Sequence, residues 1–171
     1  MAGQTHAVAM MHSITIIANT MSVIGIMLGL GLFMGGLFQL KRYGEMRTFM
    51  SHQMTIWAPG AMIFAGVLLL MLPWTVSTAL LAFWGDGQTL PLAYTGSGQH
   101  DIDVYIPVIL AFIRVIGVGA IMRACMMLSK TGGQGQPGQL GKALTHLFGG
   151  ILCVHILGTV TVIKYIFGIA S

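Results

Sequence analysis

The chain has 171 residues, of which only 8 are Lys or Arg and 4 are Asp or Glu, while 56% are hydrophobic. A soluble domain carries roughly 25% charged residues; this chain carries 7%, with a mean hydropathy of +0.85. Too little polar surface remains to cover a water-facing globule, which excludes a soluble enzyme. The net charge of +4 comes with no basic cluster interleaved with aromatics, so direct, sequence-specific nucleic-acid binding is not expected.

Four segments reach the ~18–20 apolar residues that cross a bilayer. The first runs from about Ser13 to Leu40 and holds no charge. The N-terminus before it lacks the basic start of a secretory leader, and Ala7-Val8-Ala9 is only a weak small-residue site, so this segment is expected to be a retained helix. Its small residues Ala18, Ser22, Gly25, Gly29 and Gly36 fall near one stripe, and Gly31 and Gly35 extend the glycine pattern. Small residues let two backbones approach closely, either within one bundle or between subunits.

The second segment covers about 57–83 and contains Pro73, which removes a backbone donor and should kink it. The third covers about 104–128 and contains Arg114 and Arg123. Arg114 lies about ten residues in, ~15 Å from the outer end at 1.5 Å per residue. A charge at that depth faces protein, water or a phosphate. Arg123 falls about half a turn off the Arg114 stripe and is expected to snorkel to the interface. The fourth segment covers about 143–169, with His155, Lys164 and a second small-residue surface at Gly149, Gly150 and Gly158. Each span must be helical, because backbone groups in hydrocarbon need internal partners. The expected fold is therefore one all-α integral membrane domain over 1–171 with four transmembrane helices.

The connections orient it. Lys41, Arg42 and Arg47 outweigh Glu45 in the first, and Lys130 and Lys142 flank the third, while the second holds Asp86, Asp101 and Asp103 and no cation. Basic connections stay in the cytoplasm. The two helix–basic loop–helix hairpins then leave both termini and the acidic loop periplasmic. Tyr43 and Trp57 would mark the cytoplasmic interface; Trp84, Tyr105 and Tyr165 the outer one. The halves share this plan without evident residue identity.

No catalytic constellation is visible: no nucleophile motif, phosphate loop or paired acids occur. Histidines at 6, 12, 52, 100, 146 and 155 show no metal-ligand spacing. His155 is read as a hydrogen-bonded structural residue before a proton relay. Cys125 and Cys153, both in apolar runs, are expected to stay reduced. No cofactor is expected; bound phospholipid is the one non-protein group in view, with Arg114 and the Lys41-Arg42 pair as candidate contacts for its phosphate or for a lumen.

One long stretch carries a family likeness. Phe112-Ile113-Arg114-Val115-Ile116-Gly117, Met122-Arg123, Gly135-Gln136-Pro137-Gly138, Gly141-Lys142-Ala143-Leu144-Thr145-His146, Gly149-Gly150-Ile151-Leu152-Cys153 and Gly158-Thr159 together resemble the IcmC/DotE family. These are small inner-membrane proteins of type IVB secretion systems, and the likeness is strongest to the branch in IncI-type conjugation systems. It covers about the C-terminal 65 residues; the N-terminal half matches in hydrophobic layout. The resemblance implies a subunit of a machine that moves DNA and protein between cells, with further type IVB subunits as partners. A conjugative pilin of the type IVA class is helix, basic cytoplasmic loop, helix, with both ends outside, and this chain has that plan twice. The favoured expectation is a pilin-like subunit that self-assembles from the inner membrane into a surface pilus or channel. A static inner-membrane component and a stand-alone channel or transporter stand beside it.

Overall fold

The computed structural model describes residues 2–46, 56–85, 105–131 and 138–168. Six helices occupy them: α1 (Ala2–Met46), α2 (Trp57–Leu70), α3 (Leu72–Trp84), α4 (Ile106–Lys130), α5 (Gln139–Val154) and α6 (Ile156–Ile166). No strand occurs among the described residues. Arg47, Asp86, Asp101, Asp103, His52, His100 and the glycine-rich loop at 132–137 lie outside them.

Two helices, His6–Glu45 and Ile106–Lys130, are long and apolar enough to cross a membrane, and four spans result if each bent pair counts as one. The first helix is longer than its apolar run. Lys41, Arg42 and Glu45, expected in a loop, continue α1, because charged residues are good helix formers and no proline intervenes. Lys41 and Glu45 sit one turn apart at 3.9 Å in an exposed ion pair. At 1.5 Å per residue α1 is about 68 Å long, over twice the ~30 Å of a hydrocarbon core.

The second and fourth segments are not straight. α2 and α3 meet at 90° and α5 and α6 at 98°. Pro73, expected to kink the second segment, sits in the first turn of α3, where its missing N–H costs nothing. Within a continuous helix its ring would collide with the Leu69 carbonyl, so the chain breaks before it, at Met71. The break at His155 has no proline and was not foreseen.

α1 pairs with α2 and α4 with α5, and α2 and α4 meet in the middle of the molecule. Both hairpins close at a glycine pair. A Cβ on Gly66 would lie 2.7 Å from the Phe33 amide nitrogen and 3.0 Å from the Gly29 oxygen; a Cβ on Gly29 would lie 2.8 Å from the Leu70 nitrogen. In the second hairpin a Cβ on Gly117 would lie 2.8 Å from the Gly150 oxygen and 2.9 Å from the Val154 nitrogen. The core is then small and apolar: Ala65, Leu69, Leu72 and Leu80 from the first hairpin, and Ile121, Met122, Cys125, Ile151 and Val154 from the second. Both cysteines are free, Cys125 buried and Cys153 partly so.

Residues in corresponding places reveal the register that links the halves. Gly29-Leu30-Gly31 matches Gly117-Val118-Gly119, and Met34 matches Met122. The stretch Gly66-Val67-Leu68-Leu69-Leu70-Met71-Leu72-Pro73-Trp74-Thr75-Val76-Ser77 matches Gly150-Ile151-Leu152-Cys153-Val154-His155-Ile156-Leu157-Gly158-Thr159-Val160-Thr161. Glycine falls on glycine, break on break, threonine on threonine. The shared plan of the halves thus includes a crossing glycine, a break and a threonine at corresponding places, while most other positions differ.

Alanine at Gly66 or Gly117 should push its hairpin apart and lower stability by about 1–3 kcal/mol. Gly31 and Gly149, with nothing within 4 Å of an added Cβ, should accept alanine and gain about 0.5–1 kcal/mol from helix propensity. Thermal unfolding of the four variants in one detergent checks both signs.

Candidate functional site

A helix broken in an apolar medium leaves carbonyls and amides without their partners, and each orphan is costly. Both breaks solve this in the same way. The break residues have similar backbones, Met71 at φ −100°, ψ 30° and His155 at φ −114°, ψ 54°. Each still donates its N–H one turn back, Met71 to Val67 at 3.0 Å and His155 to Ile151 at 3.3 Å. Four residues after each break a threonine hydroxyl reaches back to a carbonyl three residues before it. Thr75 Oγ1 donates to Leu68 O at 3.3 Å and Thr159 Oγ1 to Leu152 O at 2.9 Å.

The second break has an added cap. His155 Nδ1 accepts the Gly158 N–H at 3.1 Å, the role that Asn or Asp plays at a helix start. Nδ1 must then be unprotonated, leaving the proton on Nε2. Trp84, from the end of α3, stacks on the His155 ring with centroids 4.9 Å apart and planes at 23°. Its indole Nε1 is buried without a hydrogen-bond partner in the structure. Trp84, at the end of the first hairpin, thus covers the break of the other hairpin.

Arg114 lies between the two breaks. On one side it lines a cavity of about 660 Å³ with the first half of α1, from Met11 to Ser22, and with His155, Leu157 and Gly158. On the other it lines a cavity of about 210 Å³ with Leu72, Pro73 and Val76. Ser22, Val118 and Val154 line both. The hydroxyls in the larger cavity are already used by their own helices: Thr15 donates to Met11 O at 2.9 Å, Ser22 to Ala18 O at 3.1 Å and Thr161 to Leu157 O at 3.0 Å. Among the described residues, the guanidinium is the only charged group lining either cavity. Glu45, the only carboxylate side chain among the described residues, is roughly 35 Å from Ser22 along α1 at 1.5 Å per residue.

No family model, curated protein or solved structure matches this chain. The site therefore rests on its own chemistry. A half-buried cation at the rim of an apolar cavity fits an anionic headgroup with hydrocarbon behind it, since Arg offers planar paired donors to phosphate or carboxylate.

The other expected site residues lie elsewhere. Lys41 and Arg42 are exposed near the far end of α1 and do not join Arg114; with Lys130 and Lys142 they mark the tips of the two hairpins. Gly29 and Gly150 are taken up within their own hairpins, so neither offers a free face to a second subunit. A Cβ on Gly25 would make ordinary contact with Met122 and Leu72, one on Gly35 would lie 2.7 Å from the Met62 side-chain methyl, and Gly31 and Gly149 face open space. Sequence reasoning missed Gly66 and Gly117 as contact points and His155 as a break; the pairing of Thr75 with Thr159 was the available signal. Among the described residues no His, Cys, Asp or Glu cluster could hold a metal.

Replacing Thr75 or Thr159 by Val removes one hydroxyl and little volume. Each change should cost about 0.6–1.7 kcal/mol, the range for side-chain hydrogen bonds inside membranes. Thr159, which also donates to His155 O at 3.1 Å, should show the larger loss of melting temperature.

Proposed function

We propose that this chain is a structural subunit of a type IVB secretion or conjugation apparatus, TraQ-like, which self-assembles into a pilus or pilus-like channel. In this reading it enters the inner membrane as four spans with both termini periplasmic and carries phospholipid into the assembly. The resemblance over about the C-terminal 65 residues supports the choice of machine. The observation that carries the lipid-bearing subunit is the cavity at Arg114. An apolar subunit leaving a bilayer must keep its hydrophobic helices covered, and here large apolar side chains are exposed along α1 and α6 buries none of its residues. An acyl chain in the larger cavity, with its phosphate on Arg114, supplies such cover. It also masks a cation that would otherwise hold the backbone of passing DNA through counterion release.

A second reading, a channel or transporter acting alone, draws on one observation: both hairpins break at corresponding positions beside one charged residue. Paired discontinuous helices are a recognised pointer to a substrate site in transporters. A static inner-membrane component of the same apparatus shares the cavity but would never leave the cell.

Mass spectrometry of surface filaments and of inner membranes from donor cells separates these readings. The pilus reading expects the chain in filaments with stoichiometric phospholipid, and loss of most of that lipid in Arg114→Ala with membrane insertion retained. Arg114→Lys should keep part of it, since the charge remains and the paired donors do not. Lipid-free filaments would end the lipid argument; normal transfer by cells lacking the chain would end the reading.

A further inference from the structure

The contact between the two hairpins is uneven: α2 and α1 of the first half pack on α4 of the second, and α3 touches α5. A closed, two-fold arrangement would keep the α1–α4 contact and repeat the α2–α4 and α3–α5 contacts as α5 with α1 and α6 with α2, and neither of those pairs packs in this way. The relation is head to tail, and it leaves one unfilled face at each end of the chain.

Equivalent residues identify both faces. On the filled side, Phe83 at the end of α3 packs edge-on against Phe148 of α5, centroids 6.0 Å apart and planes at 84°. One repeat further on, Phe83 becomes Phe167 and Phe148 becomes Phe64 of a following chain. Both are phenylalanine, exposed at 73% and 58%; Phe83 and Phe148 keep 54% and 50% exposure even when paired, so it is residue identity, not exposure, that relates the two pairs.

The helix faces agree. Ala65 and Leu69 of α2 are fully buried, in a core cluster with Met122 and Cys125 of α4. Their counterparts on α5, Gly149 and Cys153, are only partly covered. The counterparts of Met122 and Cys125 on α1 are Met34 and Leu37, exposed at 45% and 42%.

We infer that a second copy of this chain docks head to tail, continuing the contact between the halves. Phe167 and the Gly149–Cys153 face of one copy receive Phe64 and the Met34–Leu37 face of the next. The inference rests on the self-assembly reading and specifies its surface. A heterologous contact of this kind yields a ring if the rotation closes and a filament if it does not.

The test uses full-length protein in native membranes with Cys125→Ala and Cys153→Ala. Phe64→Cys and Phe167→Cys are made singly, co-expressed as two tagged chains, and combined in one chain, then treated with a short bis-maleimide. The expected result is a dimer from the mixed pair, a ladder from the double variant, and monomer from either variant alone. Phe83→Cys with Phe148→Cys should link within one chain. A mixed pair that stays monomeric overturns the inference, and so does a single variant that dimerises alone, which would mean a two-fold contact.

A second measurement is independent of the linker. Gly149→Phe has open space for its side chain and should keep the monomer folded while reducing the oligomer seen by native mass spectrometry to monomer. An unchanged oligomer overturns the inference. Linkage together with normal transfer in cells lacking the chain would refute the conjugation reading and keep this contact. Chain recovered in filaments without linkage would do the reverse.

Discussion

Two backbone contacts fix the rest of the molecule: Gly29 with Gly66, and Gly117 with Gly150. Helices in hydrocarbon gain little from burying apolar side chains, because lipid is as apolar as leucine, so packing quality and backbone proximity hold them together. Glycine at each crossing brings two helices to near-backbone contact, and that sets where the facing side chains interdigitate. The core of Leu69, Ile121, Met122 and Ile151 fills the space these crossings leave. The breaks also follow, since Met71 and His155 each come five residues after the crossing glycine of their helix.

A break in such a setting is tolerated only where its freed polar groups are paired again. The threonine that reaches back across each break meets this need with one hydroxyl. It explains why Thr75 and Thr159 coincide when the helices are laid over each other while most surrounding positions differ. Where lipid or another apolar side chain is the neighbour, Leu, Ile, Val and Met exchange freely at similar volume. A glycine at a crossing and a hydroxyl at a break have no such substitutes.

The same distinction decides what could be read from the sequence. Length and hydropathy sufficed for an all-helical chain with membrane-spanning segments, and the proline at 73 announced that the second segment would bend. Glycines 29 and 150 stood out on helical stripes, but their partners Gly66 and Gly117 did not, because choosing a partner needs the second helix in place. The break at His155 lacks a proline; its signal is a capping side chain three residues before Gly158, a pattern that also occurs inside intact helices. The extent of α1 is not legible from hydropathy, because Lys41, Arg42 and Glu45 look like loop residues by charge, and charge does not end a helix. Arg114 was legible as a costly residue in an apolar helix. Its position between the two breaks was not, since it depends on α1, α3 and α6 converging there.

The two halves share a layout but differ at the positions that carry polarity. Position 26 in the first half is isoleucine where the second has Arg114, and Met71 stands where the second has His155. The first hairpin supplies apolar walls: Met11 to Ser22 on one side of Arg114, Leu72 and Pro73 on the other. Trp84 from the same hairpin covers His155. Each chain therefore has one polar centre built from both halves. A lone hairpin of the second type would keep Arg114 and His155 but lose the α1 and α3 walls around them. The fused pair keeps the repeated contact surface at both ends and gathers the polar groups into a single interior site, so that any assembly of such chains presents one cation at this position per chain instead of two.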